Sequence, residues 1–187
     1  MKRRRLRFDS FDALIDEIDR LHACGYERTG AWDLPRACEH LTRVMRSSLE
    51  GFGDMPVPWI VRAFGRFVFK PTILLTGRMP GGFPTARAMV AEDDDIRPAS
   101  AAVSHCIATI REVRDHAGAF HPSPLFGRLS PRQWRRMHLI HAAHHLSFLV
   151  PRDERRRTVS SLSHGTPGER AGGAGERGEV RATTVNR

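Results

Sequence analysis

Residues 135–151, RRMHLIHAAHHLSFLVP, decide how the chain is read. Four of its ten histidines, His138, His141, His144 and His145, fall here within eight positions. The surrounding residues are apolar at helical spacing, with Pro131 at the expected start of a helix and Pro151 just past its end. At about 100° per residue, Trp134, Met137, His138, His141, His145 and Phe148 share one narrow face. That face is also the apolar stripe, so His141 and His145 are expected to point inward, with His144 at the margin. An imidazole buried without a hydrogen-bond partner costs about 1–3 kcal/mol. Two of them one turn apart therefore call for partners, and one divalent metal serves both.

The remaining helices follow from the same kind of pattern. Ser10 is a candidate cap for a first helix carrying Phe11, Leu14, Ile15, Ile18 and Leu21, ended by Gly25. Asp33 and Pro35 open a second, with Ala37, Cys38, Leu41, Met45 and Ser48 along one side, closed by Gly51 and Gly53. A short helix is predicted over 58–70, and mostly loop over 71–97, which holds Gly81, Gly82 and an acidic run from Glu92 to Asp95. A third long helix is predicted over Ser100–Ala117. Ser130, Pro131 and Gln133 form a near capping box for the last. With no convincing strand or repeat, the chain reads as all-α: an antiparallel four-helix bundle with a short extra helix and a long loop between the second and third long helices. Residues 152–187, rich in Gly, Ser and Arg, read as a disordered tail behind a domain at 1–151.

Composition narrows the function classes. The net charge is +9, but Lys2, Arg3, Arg4, Arg5 and Arg7 supply five of it and the tail three, so residues 8–151 are nearly neutral. Nucleic-acid binding beyond weak contacts of the basic ends is not expected. Cys24, Cys38 and Cys106 are odd in number and widely spaced, which supports neither a disulfide framework nor a zinc knuckle. Cys38 and Cys106 read as small buried hydrophobes. The basic start is not followed by an apolar run, so it does not read as a secretion signal, and no apolar stretch reaches 18 residues. The expected location is cytoplasmic. No phosphate loop or dinucleotide fingerprint occurs.

His141 and His145 stand at i and i+4, where two imidazoles can chelate one ion at about 2.0–2.1 Å per bond to zinc. His138 with His141 is an alternative pair, whereas His138 and His145 lie roughly 10 Å apart along the axis. Glu112 and Asp115 on the third long helix are further candidates for a supporting carboxylate, beside His116, with a solvated outer face as the plainer reading. Glu39 should face solvent, since neighbours in a helix point about 100° apart and His40 beside it lies on the edge of the apolar face.

A third ligand is suggested by a resemblance. WDLPRACEHL, with Trp32 eight residues before His40, together with HPSPLFGRLSPRQWRRMHLIHAAHHLSFLVP, resembles the DinB-like superfamily of metal-binding four-helix bundles. The likeness is to a bacterial branch of unknown function and covers roughly residues 3–151. It implies His40, His141 and His145 as the metal ligands. Where many members continue with Arg-Gly-Gln, this chain has Leu146, Ser147 and Phe148. Three neutral imidazoles leave a coordination position open, the pattern of a catalytic zinc site, and nickel, iron(II) or manganese suit the same donors. The resemblance implies thiol-dependent transferase or isomerase chemistry, or hydrolysis, with a low-molecular-weight thiol as cosubstrate and a small-molecule substrate. The rival reading is a non-catalytic module, either a metal sensor or a bundle that forms a homodimer.

Overall fold

A computed structural model of the chain describes residues 3–79 and 96–153. Four long helices pack together: α1 (Phe11–Cys24), α2 (Leu34–Glu50), α5 (Ala99–Asp115) and α6 (Pro131–Leu146). Each starts and stops where side-chain chemistry requires. The Ala13 N–H donates to Ser10 Oγ, and the Arg36 N–H to Asp33 Oδ1. At α6 the full capping box forms: Gln133 N–H donates to Ser130 Oγ and Ser130 N–H returns to Gln133 Oε1. Such caps contribute about 1 kcal/mol each. Gly25 and Gly51 close α1 and α2 at φ of 70° and 108°, which favours residues without a Cβ.

The stripe of α1, with Leu14, Ile18 and Leu21 fully buried, meets Val113 and Ile110 of α5 and Leu146 of α6 in one core. Each such side chain contributes about 1.5–3 kcal/mol relative to exposure. The bundle has two helices in each sense. Arg114 pairs with Asp12, bringing the end of α5 to the start of α1. His40 meets His141 while Ser48 meets His138, so α2 and α6 run in opposite senses. Arg97, just before α5, pairs with Glu39, and Arg46 with Glu112, so α2 and α5 run the same way. Parallel neighbours need a connection as long as the helix itself, which accounts for the long segment between them.

That connection is more helical than its composition suggests. Loop was expected from Pro71 onward, but α3 (Trp59–Phe64) runs through a π turn (Gly65–Phe69) into α4 (Lys70–Thr76). Pro71 sits in the first turn of α4, and the Lys70 N–H reaches back five residues to Gly65 O. The widened turn makes room for the proline ring against the preceding carbonyl, so the helix continues where proline would otherwise stop it. Residues 80–95, with Gly81, Gly82 and the acidic run, lie outside the described residues. The expectation of a tail falls mostly on residues 154–187, which also lie outside them; Arg152 and Asp153 are held, by Gly25 O and by Arg20 respectively.

Two short strands, not expected from the sequence, accompany the helices. β1 (Tyr26–Arg28) pairs antiparallel with β2 (Leu149–Pro151), Glu27 opposite Val150. Three-residue strands carry no readable period, which is why the pattern hid them. Thr29 N–H and Oγ1 both donate to Phe148 O, extending the clip. The ribbon thereby fixes the end of α6 against the segment that leads into α2.

The α3–α4 segment is seated by one glycine. A Cβ on Gly65 would stand 2.6 Å from Leu125 Cδ1 and 2.7 Å from the Leu125 carbonyl oxygen. Because backbone cannot swing aside, Gly65→Ala is expected to cost about 1–3 kcal/mol. Chemical denaturation at fixed m-value checks this; an unchanged midpoint would show that the segment is not seated on Leu125.

Candidate metal centre

The opposed senses of α2 and α6 bring the early turns of one to the late turns of the other. His40 from α2 and His141 and His145 from α6 converge there. His40 Nε2 lies 3.1 Å from His141 Nε2, which lies 2.9 Å from His145 Nε2. One ligand atom from each falls within 4.8 Å of the others, and this is the one such group of three among the described residues. His40 is 2% exposed, and His141 and His145 are half-buried.

Burial keeps the His141 and His145 rings neutral. Burial pushes His141 far below the usual imidazole range, and positive charge on His145 or His40 would push it further. Burial likewise takes His145 down to about 2. Neutral imidazoles have lone pairs to give, as metal binding requires. Hydrogen bonds alone cannot satisfy the arrangement. The Nε2 of His141 faces two other Nε2 atoms, yet a neutral nitrogen either donates once or accepts in its plane. A divalent cation satisfies all three, and tetrahedral zinc would set its nitrogens about 3.3 Å apart, close to the 3.1 and 2.9 Å that separate His141 from its two neighbours. The residues present therefore fit a metal.

Trp32 completes the site. Its ring stacks on His145 at 5.0 Å and 6°, and meets His40 edge-on at 5.0 Å. The spacing of Trp32 to His40 is part of the sequence pattern, but its contact with His145 is not legible there. Phe148 follows, its ring 3.1 Å from where a Cβ on Gly30 would stand and with Arg3 5.4 Å over it. Arg3 Nη1 also stands 3.4 Å from His144 Nδ1, a close approach only, because that nitrogen donates to Met79 O.

The other sequence candidates stand elsewhere. His138 is buried, stacked on Trp134, and 3.0 Å from Ser48 Oγ. Ser48 already donates its hydroxyl to Met45 O, so His138 donates Nε2–H to Ser48 and has no lone pair on that nitrogen for an ion. His144 bonds Met79 O through Nδ1. Glu112 is exposed and paired with Arg46, and Asp115 is exposed and held below the usual carboxylate range by Arg114. None of these four is in the cluster. Glu39 corrects the expectation of a solvated face: it is 4% exposed, and both its oxygens accept from Arg97 Nη1 at 2.9 and 2.8 Å. Residues 37–42 are all buried, because α2 is covered by α6 on one side and α5 on the other. Cys38 and Cys106 are buried against each other, and that contact together with burial raises the Cys38 thiol well above its usual range. Buried in this way, Cys38 is inert as a nucleophile.

A family model described as "Protein of unknown function (DUF1569)" matches residues 1–152. No curated protein and no solved structure matches the chain.

Proposed function

We propose that this chain, which belongs to the DUF1569 family of proteins of unknown function, is a metal-dependent enzyme that holds one divalent cation through His40, His141 and His145. The observation that carries the reading is the convergence of three Nε2 atoms from two helices, a geometry their own hydrogen bonds cannot satisfy. Zinc, nickel, iron(II) and manganese all suit imidazole donors. Three protein ligands leave a position for water or a thiol, whose pKa a bound cation would lower. The likeness to the DinB-like superfamily supports thiol-dependent transfer or isomerisation, or hydrolysis, with a low-molecular-weight thiol as cosubstrate. Around that position Trp32 offers an aromatic wall that excludes water and holds the His145 ring. Arg97 neutralises Glu39, so the carboxylate next to His40 is engaged in structure.

The test is elemental mass spectrometry on untagged protein after reconstitution with zinc, nickel, manganese or iron(II). About one ion per chain is expected in the wild type and in His144→Ala, and almost none in folded His40→Ala, His141→Ala and His145→Ala. A wild type that stays metal-free with all four ions overturns the reading and leaves an interaction bundle with a buried polar network.

A further inference from the structure

The segment from Trp59 to Thr76 reverses the rule that organises the other helices. Trp59, Ile60, Phe64, Phe67 and Leu75 face solvent, at 75%, 62%, 52%, 73% and 85% exposure. Across α3, the π turn and α4 only Gly65 and Ile73 are buried. Those two hold the segment down, Gly65 on Leu125 and Ile73 in the core, so the apolar side is fixed outward. Single exposed apolar residues are ordinary, whereas a contiguous ridge marks a binding surface.

The charges on the ridge say what covers it. Arg62, Arg66 and Lys70 lie along it and Arg78 just past its end, and no acid occurs between Asp54 and Glu92. None of these four cations has an ion pair among the described residues. Beyond the end of α4, at Gly77, a cleft is lined by Arg7, Arg132 and Arg136. Arg132 and Arg136 are also exposed without an ion pair among the described residues; Arg7 pairs with Asp9 at 3.1 Å. A two-fold contact of this ridge with a second copy would press uncompensated cations together. An anionic surface would neutralise them while taking up the aromatic side chains.

We propose that the Trp59–Thr76 ridge docks in the headgroup plane of an anionic phospholipid bilayer. Trp59, Phe64, Phe67 and Leu75 enter the acyl boundary, and Arg62, Arg66 and Lys70 meet lipid phosphates. Aromatic residues beside cations on one surface helix are the combination that binds interfaces. No helix among the described residues is long and apolar enough to cross a membrane, so the contact is peripheral.

The experiment uses full-length protein and vesicles of phosphatidylcholine, alone or with about a third phosphatidylglycerol, read by co-sedimentation and by tryptophan emission. Binding to the anionic vesicles with a blue shift is expected, at least about tenfold over neutral ones. Each cation removed should weaken it about fivefold, so Arg62→Gln/Arg66→Gln loses about 25-fold. Trp59→Ser/Phe67→Ser should abolish both binding and blue shift; these positions are exposed, and circular dichroism verifies the fold. No wild-type binding to anionic vesicles overturns the proposal. Binding that survives both double variants overturns it too, since the basic termini would then carry it. A wild-type dimer that Trp59→Ser/Phe67→Ser converts to monomer in light scattering, without vesicle binding, makes the ridge a self-interface instead.

Discussion

Zinc added in excess to the metal-free protein raises its melting temperature by about 8–16 °C, and in His141→Ala by no more than about 2 °C. The magnitude follows from linkage. A ligand that binds only the folded state stabilises it by about 4 kcal/mol at a thousand times its dissociation constant. For a domain of this size each kcal/mol moves the midpoint by about 2–4 °C. The sign in the variant is informative as well. His141 is the central imidazole, 3.1 and 2.9 Å from its two neighbours, and no hydrogen-bond pattern serves it fully. Its removal from the metal-free protein therefore costs less than a comparable core truncation, because an imperfectly satisfied buried polar group leaves with it. Differential scanning fluorimetry of both proteins, with and without zinc, decides the matter. Equal gains in wild type and His141→Ala would show that zinc binds other side chains, and the proposed centre would lose its support.

The long helices were legible because their signals are local. Ser10, Asp33 and Ser130 stand where orphan N–H groups need acceptors, and the capping box at Ser130 and Gln133 can be read from three residues. The HxxxH pair of α6 was legible for the same reason. What escaped depended on partners distant in the chain. Glu39 is buried by Arg97, 58 positions away, and nothing beside Glu39 announces it. That α2 and α5 run in the same sense shows only once Arg46 and Glu112 are seen together. His40 was reached by resemblance; its own environment in the sequence is that of any helix-boundary histidine. Pro71 misled because proline usually stops a helix, whereas a π turn absorbs it here. The exposed ridge was invisible for a related reason. An apolar segment in sequence does not say which way it faces, and Trp59–Thr76 is held outward by contacts with Leu125 and α6.

Acid is expected to destabilise the metal-free protein steeply, beginning near pH 6.5, and His138 supplies a measurable part of the slope. Burial takes this imidazole from its ordinary value of 6.5 down to about 3. Its folded value is depressed, so the neutral form is the one the fold stabilises. Above pH 6.5 neither state holds the proton and the contribution is complete. Between 6.5 and 3 the unfolded chain takes up a proton that the folded chain refuses, and stability falls as pH falls. The slope is about 1.4 kcal/mol per pH unit per site, so His138 alone removes about 2 kcal/mol by pH 5. His141, lowered by burial and by charge on His145, and His145, lowered by burial and by charge on His40, act in the same direction. His138→Gln isolates the first share, because the amide N–H₂ of glutamine can still donate to Ser48 Oγ without titrating. Urea midpoints between pH 7.5 and about 5 should therefore decline more gently in His138→Gln, by close to one proton's worth of slope. Parallel declines in the two proteins would mean that His138 takes up its proton on Nδ1 while the bundle is still folded.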